Sequence, residues 1–296
     1  MTSAVRGAAL ARAMPAVFVL IWSTGFIVAR YGMPYAPPFK FLAVRYALSI
    51  LCFLPWIWWA GVRWPQTVDQ RLHLAVTGVL MHGFYLGGVW AAVKAGMGSG
   101  LSALIVGLQP VLTAVWLSST GERVDKRQWL GLACGLAGLV LVVSRKFGHG
   151  GGGDHADPIS LSFAAAALLS ITVGTLYQKR FVTACDVRTA NVVQLGAALL
   201  VTLPLALLEG EAMQWNAELL GAMAWSVLAL TLGGSSLLYL LIQRGAATAV
   251  TSLFYLVPPC TAVMAWLLFS EPITAATVAG TALTAFGVSL VVRAAK

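Results

Sequence analysis

The 296-residue sequence predicts an all-α membrane protein of ten transmembrane helices, arranged as two inverted five-helix repeats. Three observations carry that prediction. Hydrophobic residues make up 59% of the chain and charged residues 10%, against about 25% charged in a soluble domain. Ten apolar stretches follow one another with short connections. Each crossing takes about 20 apolar residues, so no sizeable extramembrane domain fits. The last five stretches repeat the first five at a constant offset of 149 residues. An odd number of spans per repeat turns the second copy upside down, a recurring plan of secondary transporters.

The offset is legible in rare residues. It maps Gly25 to Gly174, Arg30 to Lys179, Pro55 to Pro204 and Gly96 to Gly245. It also maps Pro110 to Pro259, Glu122 to Glu271, Gly131 to Gly280 and Gly138 to Gly287. The first repeat is assigned to residues 1–147, a linker to 148–157 and the second repeat to 158–296.

The spans are read in order. Span one, 13–31, follows Arg6 and Arg12. A cleavable signal peptide begins in the same way, but this run is long and its Gly25 and Arg30 have counterparts. Span two, 39–59, starts at Pro38, where a missing backbone donor is harmless. It holds Arg45 and ends in Trp56, Trp58 and Trp59, placed as interfacial anchors. Span three, 71–93, carries His82, Tyr85 and the small residues Gly83, Gly87 and Gly88. Span four, 98–119, contains Gln109 and Pro110. Span five, 127–144, has Gly131, Gly135 and Gly138 on one face and almost no polar side chains. Such a face suits close helix packing or dimerisation.

The linker is glycine-rich, which favours flexibility. His149, Asp154, His155 and Asp157 can be drawn as a metal site there, but the loop is poorly preorganised and no metal is expected. Span six, 158–179, starts at Pro158 and offers Thr172, Thr175, Tyr177 and Gln178. Span seven, 189–208, offers Asn191 and Gln194. Span eight, 219–242, holds Ser235, Ser236 and Tyr239, and the offset relates Tyr239 to Trp90. Span nine, 246–269, has Tyr255 and the pair Pro258-Pro259. Span ten, 273–292, repeats the glycine face of span five. Pro110 and Pro259 remove backbone bonds at related places. They mark either static bends or hinges about which helices swing.

The net charge of +9 is read through its distribution. With the N-terminus inside, 13 Lys/Arg fall on the cytoplasmic side and 5 on the other, with Arg45 inside a span. The positive-inside rule then places both termini in the cytoplasm. The basic excess is topological, and no nucleic-acid partner is expected. Of the four cysteines, Cys52, Cys134 and Cys260 fall inside spans and Cys185 in a cytoplasmic loop. None has zinc-ligand spacing, so buried inert thiols are expected.

Ionisable groups deep in a membrane mark function by default. Here no Asp or Glu falls in the interior of a span. A cationic drug finds no counter-charge, and proton coupling would need His82, the only mid-span group titrating near neutrality. His82 and Tyr85 share a face. With Trp22, Ser23, Gln109, Thr175, Gln178, Ser235, Tyr239 and Tyr255, they are expected to line a cavity of aromatic and neutral hydrogen-bonding groups. The alternative for each Ser or Thr is a bond to a helix backbone. Arg45 either snorkels to the interface, binds a substrate carboxylate or meets a helix C-terminus. Trp90 and Trp225 are further cavity aromatics. No Gly-x-Ser-x-Gly, His-Glu-x-x-His or paired mid-span Asp is present, so no enzyme is expected.

These features resemble the drug/metabolite transporter superfamily in its EamA-type branch. The sharpest matches are Pro110-Val111, Gly121-Glu122, Gln128, Gly131 and Gly138 in the first repeat. In the second they are Pro258-Pro259, Ser270-Glu271-Pro272-Ile273-Thr274, Gly280 and Gly287, and Arg45-Tyr46 looks like the family's Arg-aromatic position. The aromatic, carboxylate-free cavity is similar to what is expected of bacterial aromatic amino-acid exporters. It departs from the small multidrug exporters, which depend on a glutamate in the first span. The resemblance implies an inner-membrane carrier exporting amino acids, aromatic ones favoured, by alternating access and without a cofactor; the lack of a coupling carboxylate in the spans predicts uniport. A different solute class (a nucleotide precursor, sugar or drug) and proton antiport through His82 are the alternatives. A small-molecule substrate and the lipid bilayer are the expected partners. A monomer is the expected state, with a homodimer as the alternative.

Overall fold

The computed structural model describes residues 3–119, 126–146, 156–243 and 256–294. Among the described residues all regular structure is helical. Helix α1 spans Ser3–Gly32, α2 Pro38–Ala60 and α3 Val68–Gly78. A π-helical segment, π1 (Val79–Phe84), joins α3 to α4 (Tyr85–Lys94) without a break. Then come α5 (Ser99–Val106), α6 (Gln109–Ser119) and α7 (Lys126–Lys146). The second half holds α8 (Pro158–Phe181), α9 (Val187–Leu208) and α10 (Ala217–Trp225). It continues with the π-helical π2 (Ser226–Ser235), α11 (Ser236–Gln243), α12 (Val257–Phe269) and α13 (Ala275–Ala294).

Five helical stretches are long and apolar enough to cross a membrane: Pro38–Ala60, Val68–Lys94, Pro158–Phe181, Val187–Leu208 and Ala217–Leu241. Shorter apolar helices occupy Ala16–Gly32, Ser99–Thr113, Trp129–Val142, Val257–Phe269 and Ala275–Gly287. Outward faces carry exposed Leu51, Leu200, Leu207, Trp58 and Trp59. An apolar exterior suits lipid, where backbone groups must be satisfied within the helices.

The helix starts follow local chemistry. Pro158 is the first residue of α8, and Asp157 with Ser160 closes a capping box before it. Pro38 opens α2, whose own cap residue, Pro37, has no side-chain bond to give. A distant carboxylate takes that role: Glu209 accepts the N–H groups of Phe39 at 3.0 Å and Lys40 at 2.8 Å. Lys94 pairs with Glu211 at 2.8 Å, and Lys40 Nζ donates to the Glu211 carbonyl. These bonds tie the start of α2, the end of α4 and the α9–α10 connection together at one end of the bundle. At the other end Asp186 caps α9 and pairs with Arg188 at 2.7 Å. The Arg188 guanidinium lies over Trp56 there.

Helix α2 packs along α9, and α7 along α13. Glycines set the closeness of the second pair. A Cβ at Gly138 would strike Thr284 and the Gly280 carbonyl, and one at Gly287 would strike the Gly131 carbonyl. The glycine faces therefore meet within one chain. The fourth apolar stretch is not one kinked helix. It is two helices, α5 and α6, joined at Gly107-Leu108, with Pro110 buried in the first turn of α6. Pro258 and Pro259 likewise fall in the first turn of α12. The missing donors thus sit where a helix start lacks partners anyway. Gly107, which caps the end of α5, faces Pro258, so the α5–α6 joint touches the start of α12.

Candidate substrate cavity

A cavity opens between α1, α2, π1, α4, α8, α9, π2 and α11, with about 690 Å³ of space including its mouth. Of the predicted site residues, Trp22, Arg45, His82, Tyr85, Gln178, Ser235 and Tyr239 line it. Trp90 lines it as well, together with Gln194, Met81 and Leu230. No Asp or Glu is among its lining residues.

Three predicted residues lie elsewhere. The Ser23 hydroxyl is fully buried and donates to the Val19 carbonyl at 2.7 Å. Thr175 donates to the Ile171 carbonyl at 2.7 Å and accepts from Gln109 Nε2 at 2.9 Å. Gln109 and Thr175 therefore form a bridge between α6 and α8 outside the cavity wall. A hydroxyl in an apolar helix finds its own backbone one turn back more readily than a ligand. Thr77 and Thr172 do the same. Tyr255 lies outside the described residues, as do His149, Asp154 and His155. Trp225 is 47% exposed and donates to Thr24 Oγ1, away from the cavity. The span cysteines are not buried: Cys52 is exposed, and Cys134 and Cys260 are half-buried.

Arg45 does not snorkel. It is 4% exposed, and its Nε donates to Thr231 Oγ1 at 3.0 Å. No ion pair is formed by Arg45 among the described residues. A buried cation is ordinarily paired, because desolvating it alone is costly. Its neighbour Tyr46 is fully buried and donates to the His82 carbonyl at 2.6 Å. That carbonyl lies in π1, where the widened turn displaces the regular helical bonds; π-bulges are frequent at functional sites. Thr231 occupies the corresponding turn of π2 and donates to the Ser226 carbonyl five residues back.

The offset of 149 residues organises the cavity wall. It maps Arg45 to Gln194 and His82 to Thr231. Arg45 bonds Thr231, and their counterparts Gln194 and His82 both line the cavity. The arithmetic that finds Gln194 was available in the sequence, since its partner Arg45 was already singled out.

Aromatic rings close the rest. The Trp22 and Tyr85 rings both line the cavity. Trp90 stacks on Phe41 with centroids 4.3 Å apart, at the end of the cavity toward Lys40 and Lys94. Tyr239 lies toward the opposite end, where its hydroxyl meets Cys185 Sγ at 3.1 Å. Burial is the chief cause that pushes the Cys185 thiol pKa up. Tyr177 also lies toward this end, bonded to His73 at 2.7 Å, off the cavity wall.

A largely apolar cavity with a few polar groups, enclosed by apolar helices, suits a membrane carrier. The EamA-like transporter family matches residues 11–144 and 158–293, so the chain belongs to that family of membrane transporters. Similar proteins include the "Uncharacterized inner membrane transporter YedA" of Escherichia coli (strain K12), 25% identical over 83% of this chain and 78% of that protein. The "Uncharacterized transporter YvbV" of Bacillus subtilis (strain 168) is 26% identical over 93% of this chain and 89% of its own. A "Probable amino-acid metabolite efflux pump" of Salmonella typhimurium is 24% identical over 55% of this chain and 51% of its own. A crystal structure at 20% identity superposes with a TM-score of 0.67 over 94% of each chain, which shows the shared fold.

Proposed function

We propose that the protein is a ten-span, inverted-repeat carrier that exports aromatic amino acids or similar amphipathic metabolites by alternating access, as a uniporter. Both termini face the cytoplasm of a bacterium, and the monomer is the transporting unit. The observation that carries the reading is Arg45, a buried guanidinium without an acidic partner among the described residues, in a cavity otherwise lined by aromatic, aliphatic and neutral polar groups. An anionic group of the substrate supplies the missing charge, and Trp22, Tyr85 and Trp90 pack on an aromatic side chain.

The inverted repeat is supported by contacts that recur in exchanged pairs. Gly138 meets Gly280, and Gly287 meets Gly131, where the offset relates Gly131 to Gly280 and Gly138 to Gly287. Helix α8 packs on π1 as α1 packs on π2. The contact of the α5–α6 joint at Gly107 with Pro258 is where the halves rock. An amino-acid substrate is in keeping with the relatives named as metabolite efflux pumps. Uniport follows from the lack of a carboxylate among the described residues that line the cavity, where one would trade a proton for substrate.

Counterflow in proteoliposomes at equal pH tests this reading. Vesicles loaded with unlabelled phenylalanine are expected to accumulate labelled phenylalanine with wild type and not with His82→Ala. Absence of uptake by monodisperse wild-type protein would discard the aromatic substrate class. Uphill flux driven by a pH gradient alone would replace uniport with proton coupling.

A further inference from the structure

Gln194 carries more than a packing role. Its side chain lines the cavity and is 4% exposed, yet its Nε2 has no hydrogen-bond partner. A buried donor left unmade is costly, and such groups call for an explanation. Its backbone is held firmly. Helix α3 approaches so closely that a Cβ at Gly78 would strike the Gln194 carbonyl, Cα and C. Across the α2–α9 contact stands Arg45, the residue that the offset relates to Gln194, whose one bond to a described residue runs from Nε to Thr231. The wall therefore presents a guanidinium and an amide donor, both short of acceptors.

The complement is missing on the other side. Among the described lining residues, a substrate ammonium meets only neutral oxygens, those of the glutamines, Ser235 and the tyrosines, and ring faces. Ring faces attract cations, but the Arg45 charge opposes them in the same low-dielectric space.

Resting on the carrier reading above, we propose that Gln194 and Arg45 form a carboxylate clamp and that the ammonium group of the substrate is dispensable. The carried class is aromatic carboxylates, with or without an α-amino group. Gln194 is a specificity-determining residue that selects acids over the corresponding amines.

Calorimetric titration of the full-length protein in detergent tests this with L-phenylalanine, 3-phenylpropionate and phenethylamine, avoiding leak of the uncharged forms through a bilayer. Wild type is expected to bind the two acids within about threefold of each other and the amine about tenfold or more weakly. Gln194→Leu is expected to weaken both acids about tenfold or more, the loss of a hydrogen bond to a charged group. Amine binding as tight as that of phenylalanine overturns the clamp. So does phenylalanine binding without phenylpropionate binding, or full acid affinity in a monodisperse Gln194→Leu protein. Each of those outcomes leaves the aromatic-carrier reading standing. If none of the three probes binds wild type, that reading falls and the clamp with it. The wild-type comparison decides the matter even if Gln194→Leu does not fold.

Discussion

Arg45 and Asp186 show how differently a charge acts inside the bundle and at its end. Arg45 is buried, bonded to Thr231 and without an acidic partner among the described residues, so its charge is available to a ligand. Arg45→Gln is expected to reduce phenylalanine counterflow about tenfold or more, because a charge-assisted bond is lost. Arg45→Lys keeps the charge but loses the planar fork and the Nε–Thr231 bond, so it recovers only part of the flux. Wild-type flux in Arg45→Gln would remove the residue from the site. Asp186 works at the end of the bundle, where it caps α9 and its carboxylate is held below its usual 3.8 by hydrogen bonds from Arg188, against a smaller opposing effect of burial. Its folded pKa is depressed, so its contribution is present above 3.8 and is lost as pH falls through the lower folded value. Asp186→Ala is expected to cost about 1 kcal/mol near neutral pH, the usual value of an N-cap. Melting of the detergent-purified protein checks this. The deficit against wild type should shrink in acid; a deficit independent of pH would deny the carboxylate its role.

At the scale of elements, the chain's starts were readable and its breaks were not. Pro38 and Pro158 open helices as the fixed φ of proline predicts, and Asp157 caps α8 as its position suggests. The break between α5 and α6 reads in the sequence as a kink at Pro110, because hydropathy does not distinguish a bent helix from two abutting ones. The π segments are invisible for a related reason: a widened turn leaves the apolar pattern nearly unchanged, although it decides where His82 and Thr231 point. Glycine faces in α7 and α13 were legible, and their mutual contact follows from having no side chain to hold the helices apart. Gly138→Ala is expected to destabilise the protein by about 1–3 kcal/mol through overpacking against Thr284 and Gly280. Gly221 has nothing within 4 Å of an added Cβ and lies inside α10. Gly221→Ala is therefore expected to stabilise by about 0.5–1 kcal/mol, from helix propensity alone. Thermal melting of the two variants side by side should move the midpoint in opposite directions. A shared direction would deny that α7–α13 contact its glycines' role.

For the whole molecule, composition and the offset carried the fold class, while the cavity was only partly legible. His82, Tyr85, Trp22 and Tyr239 were found because large polar-tipped aromatics have few places to go in lipid. Ser23 and Thr175 misled because a short hydroxyl is satisfied by its own helix. Gln194 was named among the polar groups of span seven but not singled out as a site residue, although its relation to Arg45 was there to compute. The central claim is that two related halves present one cavity alternately to the two sides. Trp90 and Tyr239 occupy equivalent positions in those halves and lie toward opposite ends of the cavity. The measurement that tests this most directly is labelling by a membrane-impermeant maleimide in sealed vesicles. Single cysteines are placed at Trp90 or Tyr239 after replacement of Cys52, Cys134, Cys185 and Cys260. The account predicts that Trp90→Cys is reached only from the outer face and Tyr239→Cys only from the cytoplasmic face, with saturating phenylalanine shifting the two rates in opposite directions. Labelling of both from the same face, or rates that rise and fall together, would contradict it.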